Sequence, residues 1–186
     1  MRFFASTWRI MRKQQIAFIF ILTHVWVVML FLGGLVFDTL IVYPNVFYDV
    51  PRSLDTAMDF AVVRGPRDFF PPVGTLAFLT GIGTLILGWR VKSARYWILG
   101  SVTVILVGEF LLSAAFFWPR NTIMFEEGTA VHSVAYLKQT AREFQAGHWL
   151  RLAMSAAASA LSFVGFSKFY RHRISSQTPL PGRKDS

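Results

Sequence analysis

The sequence contains no cysteine. That absence excludes disulfides, thiolate catalysis, thiolate-held zinc and iron–sulfur clusters. Acidic residues are scarce as well: ten Asp and Glu stand against nineteen Lys and Arg, a formal net charge of +9. Histidine occurs only at His24, His132, His148 and His172. No two of them are three or four residues apart, so neither a helical metal pair nor a bis-histidine haem pattern is present. There is no Gly-rich phosphate loop and no serine nucleophile elbow. The sequence therefore implies no metal and no cofactor.

What the sequence does have is apolar length. Hydrophobic residues make up 54% of the chain and the mean hydropathy is +0.46. Four nearly uncharged runs approach the roughly 20 residues that cross a bilayer core. The expected fold is all-α: an integral membrane four-helix bundle with spans at about 15–43, 71–89, 96–118 and 148–170. The first run is far longer than a signal-peptide core and lacks a small-residue cleavage site, so it reads as a retained span. Residues 1–14 form a basic amphipathic lead-in on the membrane surface. Residues 171–186, with Pro179, Pro181 and Gly182, read as a basic flexible tail.

Residues 44–69 and 119–147 read as two long polar loops. Leu54, Met58, Ala61 and Val62 in the first have helical spacing, as do Val134, Leu137, Ala141 and Phe144 in the second. Short helices resting on the bundle are expected there. Pro71-Pro72 suits the start of the second span, where first-turn N–H groups have no partner.

Charge is sorted by side. The N-terminal segment, the 90–95 turn and the C-terminal end (counted from Lys168) hold twelve Lys/Arg and one acid, Asp185. The opposite side holds seven Lys/Arg and eight acids, with Asp38 and Arg151 counted at its rim. Positive charge stays cytoplasmic. Both termini are expected in the cytoplasm, both loops outside, and the protein in the cell inner membrane. The basic face then meets anionic lipid, and nucleic acid is not implied.

Ionised groups inside a bilayer cost about 2.5–3.5 kcal/mol at mid-helix on insertion scales, so they should face protein. Their spacing agrees. His24, Val28, Phe31, Leu35 and Asp38 lie on one helical face. Thr80, Thr84 and Gly88 share another, as do Glu109, Ser113, Phe116 and Arg120, and His148, Arg151, Ser155 and Ser162. Each span has one polar or small-residue stripe to turn inward.

These stripes converge on an outer rim. The third span ends in Phe116-Phe117-Trp118-Pro119-Arg120-Asn121, where tryptophan favours the lipid–water boundary and proline breaks or bends a helix. Asp38, Tyr43, His148 and Arg151 reach the same level, and Glu109 lies about 13 Å below it at 1.5 Å per residue. The second and fourth spans begin at this rim, so their positive dipole ends point at it. With Arg120 and Arg151 there too, an anion is expected nearby. Asp38 or Glu109 could serve structurally, as could a lipid phosphate or a bound enolate or phenolate. A buried Glu109 carboxyl could move a proton, or be a structural acid paired with arginine. His148 could be a general base or an interfacial histidine; His24 reads as a packing hydrogen bonder and His132 as solvated.

The order of motifs resembles a family. Gly33-Gly34 leads through Tyr43-Pro44-Asn45; a proline-led second span follows; Pro119-x-Asn121 closes the third; His148-Trp149-Leu150-Arg151-Leu152 opens the fourth. Over roughly residues 25–168 this is similar to the small four-helix membrane family that includes the fungal anthrone oxygenases. The resemblance implies cofactor-free oxygenation of an anthrone-like phenolic to a quinone. It implies that Asn121, His148, Trp149 and Arg151 line the site, with Pro44 and Pro119 shaping its rim. The basic N-terminal segment and the long second outer loop depart from that pattern and leave the substrate open.

Two functions of different class follow. In the first, an outward-facing polar pocket takes a hydrophobic aromatic or amphipathic small molecule. His148 or Glu109 is the base, Arg151 and Arg120 stabilise an anion, Asn121 orients it, and Trp118, Trp149, Asp38 and Tyr43 help to bind it. In the second, the chain is a non-catalytic accessory subunit that contacts other membrane proteins or copies of itself. A transporter-like reading would need broken helices in matching halves, and only Pro119 suggests one. The charge count makes a direct prediction: reporters fused to either terminus should both read out in the cytoplasm, and an extracytoplasmic signal from either would reverse the assignment.

Overall fold

The computed structural model describes residues 12–176. The expected lead-in falls largely on residues 1–11, and most of the expected tail on 177–186; both lie outside the described residues. Among the described residues the chain is helical almost throughout and holds no strand. Five helices follow one another: α1 (Arg12–Val46), α2 (Arg52–Phe60), α3 (Pro66–Gly88), α4 (Lys92–Val131) and α5 (Val134–Ser176). Four of them, all but α2, are long and apolar enough to cross a membrane. α1 packs on α3 and α5, and α4 packs on α5 and α3, so the four close a ring.

Three of the inward stripes are buried; in the stripe of the third span Ser113 is buried, Phe116 and Arg120 are only partly so, and Phe117 takes the core position. His24, Val28, Phe31, Leu35 and Asp38 are each under a tenth exposed, as are Thr80, Thr84, Arg151, Ser155 and Ser162. One histidine ties the ring together. His24 on α1 donates from Nδ1 to the Ala77 carbonyl of α3 at 3.0 Å, and its Nε2 lies 3.3 Å from Ser101 Oγ on α4. Ser101 in turn donates to the Ala158 carbonyl of α5 at 2.9 Å. In hydrocarbon no water competes for these partners, so each bond holds two helices in register. Gly81 of α3 allows the close approach. A Cβ there would stand 2.5 Å from Val102 Cγ2 and 2.9 Å from His24 Cε1.

Three apolar clusters stack along the bundle. One at the basic end is built on Ile21, Ile98, Val102 and Phe169. A middle one joins Val27, Val28, Ala77, Ile105 and Ala158. The third, at the other end, packs Tyr43, Leu54, Phe117, Met124, Leu137 and Phe144. α2 contributes Leu54 to this cap, which extends the core beyond the ends of α3 and α4's apolar stretch.

Several boundaries differ from the sequence reading. Residues 119–147 are not a loop: α4 runs through Pro119 to Val131, and only His132 and Ser133 separate it from α5. α5 then continues from Val134 past His148 to Ser176 without a break. The polar residues Lys138, Arg142 and Glu143 are the outward face of a helix whose Leu137, Ala141 and Phe144 are buried. α3 begins at Pro66, five residues before Pro71, because Asp68 accepts a hydrogen bond from the Gly65 N–H at 2.8 Å and closes the first turn.

Pro71 and Pro72 lie inside α3 and do not open it, and two further prolines sit inside long helices without ending them. Pro44 follows a π-helical segment at Asp38–Val42, and Pro119 follows one at Ser113–Phe117. A π turn shifts the hydrogen-bond register by one residue, and a residue without an N–H fits where the register changes. The wider turns also redirect side chains, which bears on the polar groups below. Gly81→Ala should lower the thermal midpoint in mild detergent, with overpacking costing about 1–3 kcal/mol. Gly33→Ala, where a Cβ meets nothing within 4 Å, is the control and should leave it unchanged; equal midpoints for the two variants would contradict the packing described.

Candidate functional site

Between the middle cluster and the cap lie the costly side chains. Arg151 of α5 donates from Nε to Glu109 Oε2 of α4 at 2.8 Å, and the two side chains are 10% and 6% exposed. Arginine stays charged in any protein setting, so it needs a compensating anion this deep, and Glu109 is the carboxylate in contact. The guanidinium also lies 5.2–5.7 Å from the ring centres of Phe31, Phe70 and Phe117. Four helices thus supply its surroundings.

Asp38 and Tyr43 belong to the same group. The Tyr43 hydroxyl donates to Asp38 Oδ2 at 3.4 Å, and both residues are within electrostatic range of Arg151. Their spacing of five residues matches the π-helical segment that starts at Asp38. Glu109 likewise sits in a π-helical stretch, Leu106–Leu111.

His148 lies one turn before Arg151 and is 1% exposed. Its ring is enclosed by those of Tyr43, Phe117 and Phe144, with centroids at 4.3, 4.8 and 5.0 Å. Neither ring nitrogen has a hydrogen-bond partner in the structure. An imidazole always carries at least one donor, and leaving a buried polar group unpaired costs about 1–3 kcal/mol. The site therefore holds one group able to give or take a proton and not yet engaged.

The remaining expected site residues lie apart from this cluster. Arg120 turns to Glu143 on α5, donating from Nη2 at 2.7 Å and from Nε at 3.2 Å, with its guanidinium 3.7 Å above the Phe116 ring. Gln139 holds the other oxygen of Glu143 at 3.1 Å. Trp118 and Trp149 are 57% and 56% exposed and face outward. Asn121 is half-buried, and among the described residues no hydrogen bond joins it to His148 or Arg151. His132 pairs with Glu127 at the break between α4 and α5.

The dipole argument for the rim is overturned. Arg151 is not in the first turn of a helix: α5 starts at Val134, seventeen residues earlier, or about 25 Å at 1.5 Å per residue. The N-terminus of α5 is therefore far from the Arg151 charge. The sequence reading gives no site role to Glu143 or Phe70, and it places Phe31, Phe117 and Phe144 on an inward stripe, at the rim and on a short helix without making them walls of this cluster. The spacing of Phe144, His148 and Arg151 at four and three residues was the available signal for Phe144.

Space in the cluster is small. The cavity at Glu109, lined also by Phe31, Gly74, Ala77, Met154 and Ser155, has a volume of about 10 Å³. That is room for one water, whereas small-molecule pockets run to about 300 Å³ or more. Among the described residues no group of three His, Asp or Glu is placed to hold a metal. No family model, curated protein or solved structure matches the chain.

Breaking the pair from one side should cost most. Arg151→Met leaves Glu109 buried beside phenylalanine, and the expected loss is about 3–5 kcal/mol. Arg151→Met combined with Glu109→Leu should recover most of that loss in thermal unfolding. Additive losses in the double variant would mean that the two residues are not a pair.

Proposed function

We propose that this chain is a multi-pass inner-membrane protein with both termini cytoplasmic, and that His148, Tyr43 and Arg151 receive the hydroxyl end of an amphipathic aromatic molecule. The observation that carries the reading is His148: enclosed by three aromatic rings, one turn from a cation, with both nitrogens unpartnered. Intramembrane ionisable groups are functional suspects by default, and this histidine has no structural bond to account for it.

The reaction that the resemblance implies suits these groups. His148 takes a proton from an acidic phenolic or activated C–H position. Arg151 stabilises the resulting enolate, which reacts with oxygen directly and needs no cofactor. Glu109 is bound to Arg151 and serves as its counter-ion, so His148 is the base in this reading and Glu109 is not. Arg120 and Asn121, outside the cluster, have no part in it. The molecule reaches His148 only when the Tyr43, Phe47 and Phe144 rings part, since those rings pack against one another over it and the cavity at Glu109 has room for about one water.

A second reading is favoured by that same closeness. Glu109 and Arg151 satisfy each other in a bundle with little free space, as they would in an accessory subunit of a larger membrane assembly. Purification in mild detergent separates the two. A stoichiometric protein partner supports the accessory role. The catalytic reading expects oxygen uptake with an anthrone by the protein alone. It also expects His148→Phe, which keeps the aromatic packing, to lower turnover by about 10²-fold or more. Unchanged turnover in that variant, or none in the parent protein, removes the catalytic reading.

A further inference from the structure

At the opposite end of the bundle, among the described residues, no carboxylate pairs with the gathered cations. The turn between α3 and α4 supplies Arg90, Lys92 and Arg95, and the last turns of α5 supply Lys168, Arg171 and Arg173. Every Asp and Glu of the described residues lies on the other side of the middle cluster. Cations gathered in this way repel one another and attract anions.

Arg95 is the best placed of them. Its Nη2 donates to the Tyr96 hydroxyl at 2.7 Å, and its guanidinium lies 4.6 Å from the Tyr96 ring centre and 5.4 Å from that of Trp89. These two aromatics hold the head in place. Its Nε is buried and has no hydrogen-bond partner. The side chain also lines a small cleft with Thr84, Gly88, Ala94 and Phe169, where α3, α4 and α5 meet. No side chain caps the first turn of α4, which starts at Lys92 beside it. A fixed guanidinium, flanked by cations and interfacial aromatics, has the chemistry of a phosphate site.

We propose that the Arg90–Lys92–Arg95 turn binds the phosphate of an anionic phospholipid, whose acyl chains lie along α3 and α5. The lipid source is favoured over free phosphate because Trp89, Tyr96 and Trp97 are large, exposed aromatics at the same level, as at a membrane interface. Lys168 reaches over the Trp97 ring at 5.6 Å and adds a second cation on the α5 side.

Native mass spectrometry of the full chain tests this, with phosphatidylglycerol and phosphatidylcholine offered in equal amounts. The expected result is preferential retention of phosphatidylglycerol, reduced roughly five-fold in Arg95→Gln and unchanged in the remote control Arg64→Gln. Arg95→Lys keeps the charge without the planar fork and should fall between the two, which covers the case where Arg95→Gln does not fold. Equal retention of the two lipids, or full retention by both Arg95 variants, would overturn the proposal. So would inorganic phosphate raising the thermal midpoint as much as phosphatidylglycerol, since that would mark a free-anion site.

Discussion

One ion pair constrains this protein more than any other contact. Glu109 and Arg151 sit among phenylalanines, away from solvent, at 2.8 Å. Removing two charges from water costs several kcal/mol for each ion, and only a close partner returns most of it. The pair therefore fixes the rotation of α4 against α5, because turning either helix would strand a charge in hydrocarbon. His148, one turn before Arg151 on the same helix, is carried to the same depth and the same face.

The rest of the site follows from how the backbone reaches that pair. Asp38 and Glu109 both sit in π-helical stretches, Asp38–Val42 and Leu106–Leu111, and the first brings Tyr43 onto Asp38. The aromatic cap above them, with Tyr43, Phe117 and Phe144, closes the end of the bundle over His148. Below, the His24 bond to Ala77 holds α1 to α3 and the Ser101 bond to Ala158 holds α4 to α5. The polar cluster is thus clamped between two rigid layers, which keeps its few groups in place and leaves room for about one water.

Much of this was legible from spacing alone. The stripe His24, Val28, Phe31, Leu35, Asp38 is periodic, and period is what a helix buries. His148, Arg151 and Ser155 could be grouped for the same reason. The helical spacing from Val134 to Phe144 was legible, but its continuity with the fourth span was not, since Lys138, Arg142 and Glu143 end the apolar run that marks a bilayer span. That error moved Arg151 to a helix start and hid Glu143, the partner of Arg120. Pro119 was misjudged because a breaker was expected where a π turn lets the helix continue. The five-residue separation of Asp38 and Tyr43 fits no α-helical rule and becomes a contact only through such a turn.

Function enters where the structure leaves a group unused. Arg120 and Glu109 have acidic or basic partners; His148, enclosed by rings, has none. Every reading of the site nevertheless depends on Arg151 being neutralised by an ionised Glu109. Infrared difference spectroscopy of the parent protein against Glu109→Gln measures that directly. The account expects the substitution to remove a carboxylate stretching band. Loss of a protonated carboxylic-acid C=O band in its place would mean that Glu109 is neutral, that Arg151 is balanced by another anion, and that the central ion pair is wrong.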